Sequence, residues 1–224
     1  MNKELKKMRL NQYNEADLFL HFWNGHTDKA DNGYATFYEI IFNERHPKSI
    51  LEIGIRSGGS LMAWRTLFPD ARVVGVDIIP PSPRRIQQYK KMNIEWYVCD
   101  ATKMSMFDYI GNKPFDLIVD DGSHFYKHQR ESFDILRDSF NHYYVIEDVR
   151  WRHDETVNHI ESYGYEVERF PCEFQPTATM NKHFLETNEG DFISPDGHKI
   201  SGAYNPNGDF VTTPMEFWMI RQLT

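Results

Sequence analysis

Apolar and polar positions follow two rhythms along this chain, and the change between them divides it. Up to about residue 44 the rhythm is helical. Leu18, Phe19, Phe22 and Trp23 recur at one-turn spacing, the apolar stripe of an amphipathic helix. A polar stretch at 25–33 follows, and residues 34–42 resume the helical pattern. By composition alone, that stretch is a solvated connection between two helices. From Ser49 the rhythm changes to short apolar runs, each followed by a helix-length segment. Residues 49–54, 72–77, 94–100, 117–119 and 143–146 read as strands. Residues 61–68, 84–92, 104–110 and the segment between the last two runs read as helices. This alternation predicts an α/β fold built on a doubly wound, mostly parallel sheet. A helix at 154–163 with Gly164 as its C-cap, then strands at 165–170 and 216–221, complete the pattern. Between those strands lies 171–214, rich in Gly, Pro, Asn and aromatics. It is too long for a plain connection, and reads either as a substrate-selecting flap over the sheet edge or as a surface excursion. The organisation is thus an N-terminal helical segment, 1–44, and a main domain, 45–224.

The predicted strands share a second feature: acids at or near their ends. Asp77, Asp100, Asp120-Asp121 and Glu147-Asp148 close successive runs, and Glu52 lies within the first. Parallel strands bring these acids to one edge, the carboxyl edge, where open α/β sheets place their ligands. The first turn reads Glu52-Ile53-Gly54-Ile55-Arg56-Ser57-Gly58-Gly59-Ser60. A dinucleotide turn requires G-x-G-x-x-G so that a pyrophosphate approaches the backbone. Here Arg56 replaces the second glycine. Glu52 suits a ligand carrying cationic groups, Asp77 suits two ribose hydroxyls, and Asp100-Ala101 suits an adenine amino group. Each acid alone reads equally as a cap or a loop carboxylate. Three successive strand ends favour a nucleoside-containing ligand. The string Glu52–Ser60 resembles motif I of class I S-adenosylmethionine-dependent methyltransferases, which implies a Rossmann-like fold, with Glu52, Gly54, Ser57, Gly58, Gly59, Ser60, Asp77, Asp100 and Ala101 around the donor.

Methyl transfer to oxygen requires an acceptor held in line and a route for its proton. A divalent cation that chelates adjacent hydroxyls lowers their pKa and orients them. Asp121, Glu147 and Asp148 offer three carboxylates from two neighbouring strand ends, an all-oxygen set that suits Mg2+ or a similar hard ion. His124, three residues past Asp121, is placed to take the proton, since imidazole titrates near neutral pH. Singly, these residues read as turn, cap and backbone-bonding groups; together at one edge they read as a site. Alternate positions on a strand face opposite ways, so Asp120 should point away from that site.

Composition narrows the function classes. With 40% hydrophobic and 26% charged residues, the chain is of the globular kind. A net charge of −8 argues against a nucleic-acid partner. Two cysteines make neither a disulfide framework nor a metal spacing, so the expected compartment is reducing, by default the cytoplasm. No apolar run reaches the length of a membrane span.

The segment Asp120-Asp121-Gly122-Ser123-His124, then His128, Ser132-Phe133 and Val145-Ile146-Glu147-Asp148, resembles metal-dependent macrolide-sugar O-methyltransferases of the mycinamicin and macrocin type, within a group often labelled cephalosporin hydroxylase-like. The resemblance implies Mg2+ on Asp121, Glu147 and Asp148, His124 as base, S-adenosylmethionine as donor and a sugar or glycosylated small molecule as acceptor. It covers about 27–151. It also includes Thr27-Asp28-Lys29, Tyr34 and Tyr38-Glu39, which implies that the polar stretch folds over donor or acceptor. Relatives of this type commonly associate, which raises a homo-oligomer. Two departures stand out: Phe140-Asn141-His142 replaces a proline-glycine-glycine turn, and nothing after Trp151 matches. The rivals are a hydroxylase-type enzyme on this scaffold and a non-catalytic nucleoside-binding subunit.

Overall fold

In a computed structural model of the chain, the residues described are 27, 29, 32–149, 153–172, 191–193, 199–204, 210–212 and 215–222. The stripe at 18–23 and much of the 25–33 stretch lie outside them. Helix α1 spans Ala35–Glu44 and leads into β1, Ser49–Ile53. Then follow α2 (Gly59–Leu67), β2 (Arg72–Asp77), α3 (Pro83–Met92), β3 (Glu95–Val98), α4 (Phe107–Ile110), β4 (Phe115–Asp120) and α5 (Tyr126–Leu136). The chain continues through β5 (Phe140–Val149), α6 (His153–Glu161), β6 (Tyr165–Cys172), β7 (Asp191–Ile193), β8 (Lys199–Tyr204), β9 (Phe210–Thr212) and β10 (Met215–Gln222).

Seven strands form one sheet in the order β3-β2-β1-β4-β5-β10-β6. Strands β1 to β5 pair in parallel, while β10 is antiparallel to both of its neighbours. Period-two alternation sends Ile50, Leu117, Val119, Tyr143 and Val145 to one face, where they pack with Tyr38, Trp64 and Tyr89 of α1, α2 and α3. Leu51, Ile53, Ile118, Tyr144 and Ile146 face the other way, against Ile110, Phe133, Leu136 and Ile160 of α4, α5 and α6. The sheet is therefore covered on both sides, which is why its strands read as nearly continuous apolar runs.

The short helix expected at 104–110 is present as a 3-10 turn, Met104–Met106, running into one α-turn, Phe107–Ile110. One expectation needs correction. The strand expected at 143–146 runs from Phe140 to Val149, so Glu147 and Asp148 lie inside it rather than past its end. The cause is β10, which extends the ladder by pairing Glu216 with Val149. Part of the 171–214 region forms a small antiparallel sheet, β7-β8-β9, and the rest lies outside the described residues.

Candidate active site

Backbone stitching at the carboxyl edge sets the stage. Gly54 N–H donates to the Val76 carbonyl at 2.8 Å and Asp121 N–H to the Ile53 carbonyl at 3.0 Å, so the turns after β1 and β4 are tied to neighbouring strands. A Cβ on Gly54 would lie 2.1 Å from the Asp121 carbonyl oxygen, and the residue has φ +89°. Only glycine fits. Asp120 follows strand parity and faces the α5 side. There it accepts from Tyr144 OH at 3.2 Å and from Gly122 N–H at 3.3 Å. Burial pushes its carboxyl up to about 7. Asp121 lies beyond the strand and faces the α1 side.

Parity alone would send Glu147 and Asp148 to opposite faces. A β-bulge prevents this. Between Ile146 and Val149 the bulged strand takes three steps, while its partner takes two from Trp218 to Glu216. Asp148 adopts the left-handed backbone with φ +54°. Both carboxylates consequently meet tyrosines of the α1 segment. Tyr38 OH donates to Glu147 Oε1 at 2.5 Å, and Tyr34 OH donates to Asp148 Oδ1. Gln129 of α5 donates to the Glu147 carbonyl at 3.3 Å.

Lys29 sits at the centre of this arrangement. Its Nζ donates to Glu147 Oε2 at 2.6 Å and Asp121 Oδ2 at 2.8 Å, and pairs with Glu52 Oε1 at 3.3 Å. Lys29 and Glu52 have no exposed side-chain surface. Trp64 Nε1–H donates to the other Glu52 oxygen at 2.7 Å. Burial opposes the Lys29 charge, but Asp121, Glu147 and Glu52 outweigh it and hold the ammonium well above the ordinary lysine range. For Glu147, burial pushes the carboxyl up against the pull of Lys29.

The outer part of the site is formed by Asp121, His124 and Asp148, which offer ligand atoms all within 4.8 Å of one another. His124 has φ +55°, which turns its ring back toward the strand ends. Its Nε2 lies 3.7 Å from Asp148 Oδ2, and its buried Nδ1 has no hydrogen-bond partner among the described residues. Carboxylate oxygens beside one imidazole form a donor set suited to a divalent cation. Glu147 stands outside this closest group, held by Lys29 and Tyr38. His128 bonds to Ser123 Oγ at 2.8 Å.

On the donor side, Asp77 Oδ2 accepts from Ile55 and Arg56 N–H at 2.7 and 3.0 Å, and Oδ1 accepts from Ile79 N–H at 2.9 Å. The acid thereby braces the glycine turn. Gly58, at φ +72°, begins α2, and a Cβ there would meet the Tyr89 hydroxyl at 1.7 Å. Ser57 is exposed, whereas Gly59, Ser60 and Ala101 are buried. Asp100 caps its own turn, accepting from Thr102 N–H and Oγ1 at 2.9 and 2.7 Å, which lowers its carboxyl below the usual range.

Lys29, Tyr34, Tyr38 and Trp64 were not read as site residues from the sequence. The Thr27-Asp28-Lys29 … Tyr34 … Tyr38-Glu39 string pointed to this segment. The four-residue spacing of the two tyrosines places them on one helix face. Which acid each one meets is not written in the string.

A seven-stranded sheet covered on both faces, with its last strand reversed and inserted next to the edge, is the class I S-adenosylmethionine-dependent methyltransferase fold. In comparisons with known proteins, the chain is 31% identical over 145 residues to mycinamicin VI 2''-O-methyltransferase of Micromonospora griseorubida, covering 58% of this chain and 32% of that protein. It is 34% identical over 127 residues to 8-demethyl-8-(2-methoxy-alpha-L-rhamnosyl)-tetracenomycin-C 3'-O-methyltransferase of Streptomyces olivaceus, covering 52% of this chain and 32% of that protein. The match thus spans 32% of the length of each of these relatives. Among solved structures, the mycinamicin-pathway methyltransferase MycE, in complex with Mg and SAH, has a TM-score of 0.55 at 20% identity over 92% of this chain and 53% of that one. No family model matches the chain. No helix of the described residues is long and apolar enough to cross a membrane.

Proposed function

We propose that the chain is a metal-dependent O-methyltransferase that moves a methyl group from S-adenosylmethionine to a hydroxyl of a sugar or glycosylated small molecule, within a reducing compartment such as the cytoplasm. The observation that carries this reading is the meeting of Asp121, His124 and Asp148 within 4.8 Å at the carboxyl edge that also holds the glycine turn. The names of the relatives, O-methyltransferases of mycinamicin and tetracenomycin, support the reaction class.

Asp121, Glu147 and Asp148 are assigned to a Mg2+-like ion, which fits their oxygen chemistry. Such an ion, when bound, lowers the pKa of a coordinated hydroxyl and fixes its direction. Glu147, whose oxygens already accept from Lys29 and Tyr38, would contribute to such an ion through its remaining lone pairs, since each carboxylate oxygen accepts more than one bond. His124, whose Nε2 lies 3.7 Å from Asp148 Oδ2, takes the acceptor's proton. The backbone at Gly54, Ser57, Gly58, Gly59 and Ser60 cradles the donor. Asp77 takes the ribose hydroxyls, and Asp100 with Ala101 takes the adenine. Glu52 acts from beneath, through Lys29 and Trp64.

Titration calorimetry with S-adenosylhomocysteine, S-adenosylmethionine and NAD, with and without Mg2+, tests the reading. Both sulfur nucleosides should bind and NAD should not; binding of NAD alone overturns it. With a deoxysugar glycoside as acceptor, His124→Ala should slow single-turnover methyl transfer by roughly two to four powers of ten while donor affinity stays level. An unchanged rate would assign His124 to structure.

A further inference from the structure

We propose that Lys29 is a built-in cation of the acidic centre, a positioning residue that gathers Glu52, Asp121 and Glu147 and limits the centre to one divalent ion. This rests on the metal-dependent reading above. The ammonium contacts carboxylates delivered by three adjacent strands: Glu52 from β1, Asp121 just past β4, and Glu147 from β5. Two of its N–H groups donate to Asp121 and Glu147, and Glu52 Oε1, buried without a hydrogen bond, pairs with the ammonium by charge at 3.3 Å. Trp64 and Tyr38 hold the second oxygens of Glu52 and Glu147. These two inner acids are therefore engaged from within the protein.

Asp121 is the hinge of the arrangement. It belongs both to the Lys29 ion pairs and to the outer group with His124 and Asp148. The centre thus has two adjacent seats for positive charge that share Asp121 and, on the metal assignment above, Glu147. Two-metal enzymes place their ions about 3.5–4 Å apart over a shared carboxylate framework. Here the chain fills the inner seat with its own ammonium. A divalent ion in the outer seat then meets a fixed like charge nearby, which opposes entry of a second ion. Without the ammonium, the buried Glu52 and Glu147 would lie beside Asp121 with no cation. That state is relieved by protonation or by a second ion.

The donor side is linked as well. Glu52 precedes the glycine turn in β1 and touches Lys29, so the lysine connects the strand that presents the donor loop to the acids that face the acceptor. It needs no contact with substrate to do this.

The test is Mn2+ uptake by the full chain, followed by electron paramagnetic resonance, for wild type, Lys29→Arg and Lys29→Met. One equivalent is expected for wild type and Lys29→Arg, and two for Lys29→Met. Lys29→Met with one equivalent at wild-type affinity, or with none, overturns the proposal. Nitrogen-15 resonances of wild-type lysine side chains decide the matter should Lys29→Met fail to fold. One ammonium signal protected from exchange should persist when Mg2+ saturates the protein. Its loss into the exposed-lysine envelope on adding Mg2+ would mean that the ion displaces Lys29, and the proposal fails. A wild type that takes up no Mn2+ overturns the metal-dependent reading, and this inference falls with it; the other failures leave that reading standing.

Discussion

Asp120 and Asp121 are adjacent and chemically the same, yet their environments separate them by function. Asp120 points into the α5 side, is 2% exposed, and has its carboxyl pushed up to about 7 by burial. A carboxyl whose folded-state pKa is raised binds its proton more tightly in the native state. Its contribution is therefore fully present below about pH 4 and is lost as pH rises through about 7. The span from an ordinary Asp value is worth on the order of 4 kcal/mol. Asp120→Asn removes this titration while keeping an acceptor for Gly122 N–H. Denaturation midpoints of wild type should fall relative to Asp120→Asn between pH 4 and 8, with the variant the more stable at pH 8. Parallel pH profiles would show that Asp120 is not the titrating group. The orientation of this pair was legible in the sequence, because strand parity from Ile118 assigns Asp120 to one face. The same parity applied to Glu147 and Asp148 misleads. The left-handed backbone at Asp148 comes from a bulge, and no residue type there announces it.

At the scale of elements, α1 and the bulged strand form one device. Tyr34 and Tyr38, one turn apart, reach Asp148 and Glu147, one residue apart, because the bulge brings both acids to the helix side. Tyr38→Phe leaves the buried Glu147 carboxylate with one donor fewer. It should lower stability by about 1–3 kcal/mol, read by urea denaturation. Divalent-ion affinity, read by calorimetry in the same variant, should fall as Glu147 loses its fixed orientation. A variant with wild-type stability and ion affinity would reduce the Tyr38 bond to a bystander. The helix itself was readable from its apolar spacing. Its role as a wall of the site was not, since helix periodicity says which face is buried but not against what.

For the whole molecule, the order of strands decides what the edge can hold. Placing β1 between β2 and β4 brings the glycine turn, Asp77 and Asp121 together, and β5 beside β4 adds Glu147 and Asp148. The reversed strand β10 then lies between β5 and β6, lengthens β5 and supplies the partner of the bulge. Local residue order carries much of this architecture. Alternating apolar runs and helix-length segments specify a parallel sheet, parallel strands bring their terminal acids to one edge, and the glycines of the first turn mark where a ligand approaches. These are short-range facts, set by backbone periodicity and sterics. The inner charge arrangement is of another kind. Lys29, itself fully buried, meets the partly exposed Asp121 across 92 residues of chain and the buried Glu147 across 118. Nothing local distinguishes this lysine from one on a solvated loop. Only the packed fold strips its water and leaves carboxylates as its partners. The chain pattern thus placed the acids at the edge, and tertiary packing decided which of them a cation from the protein itself already holds.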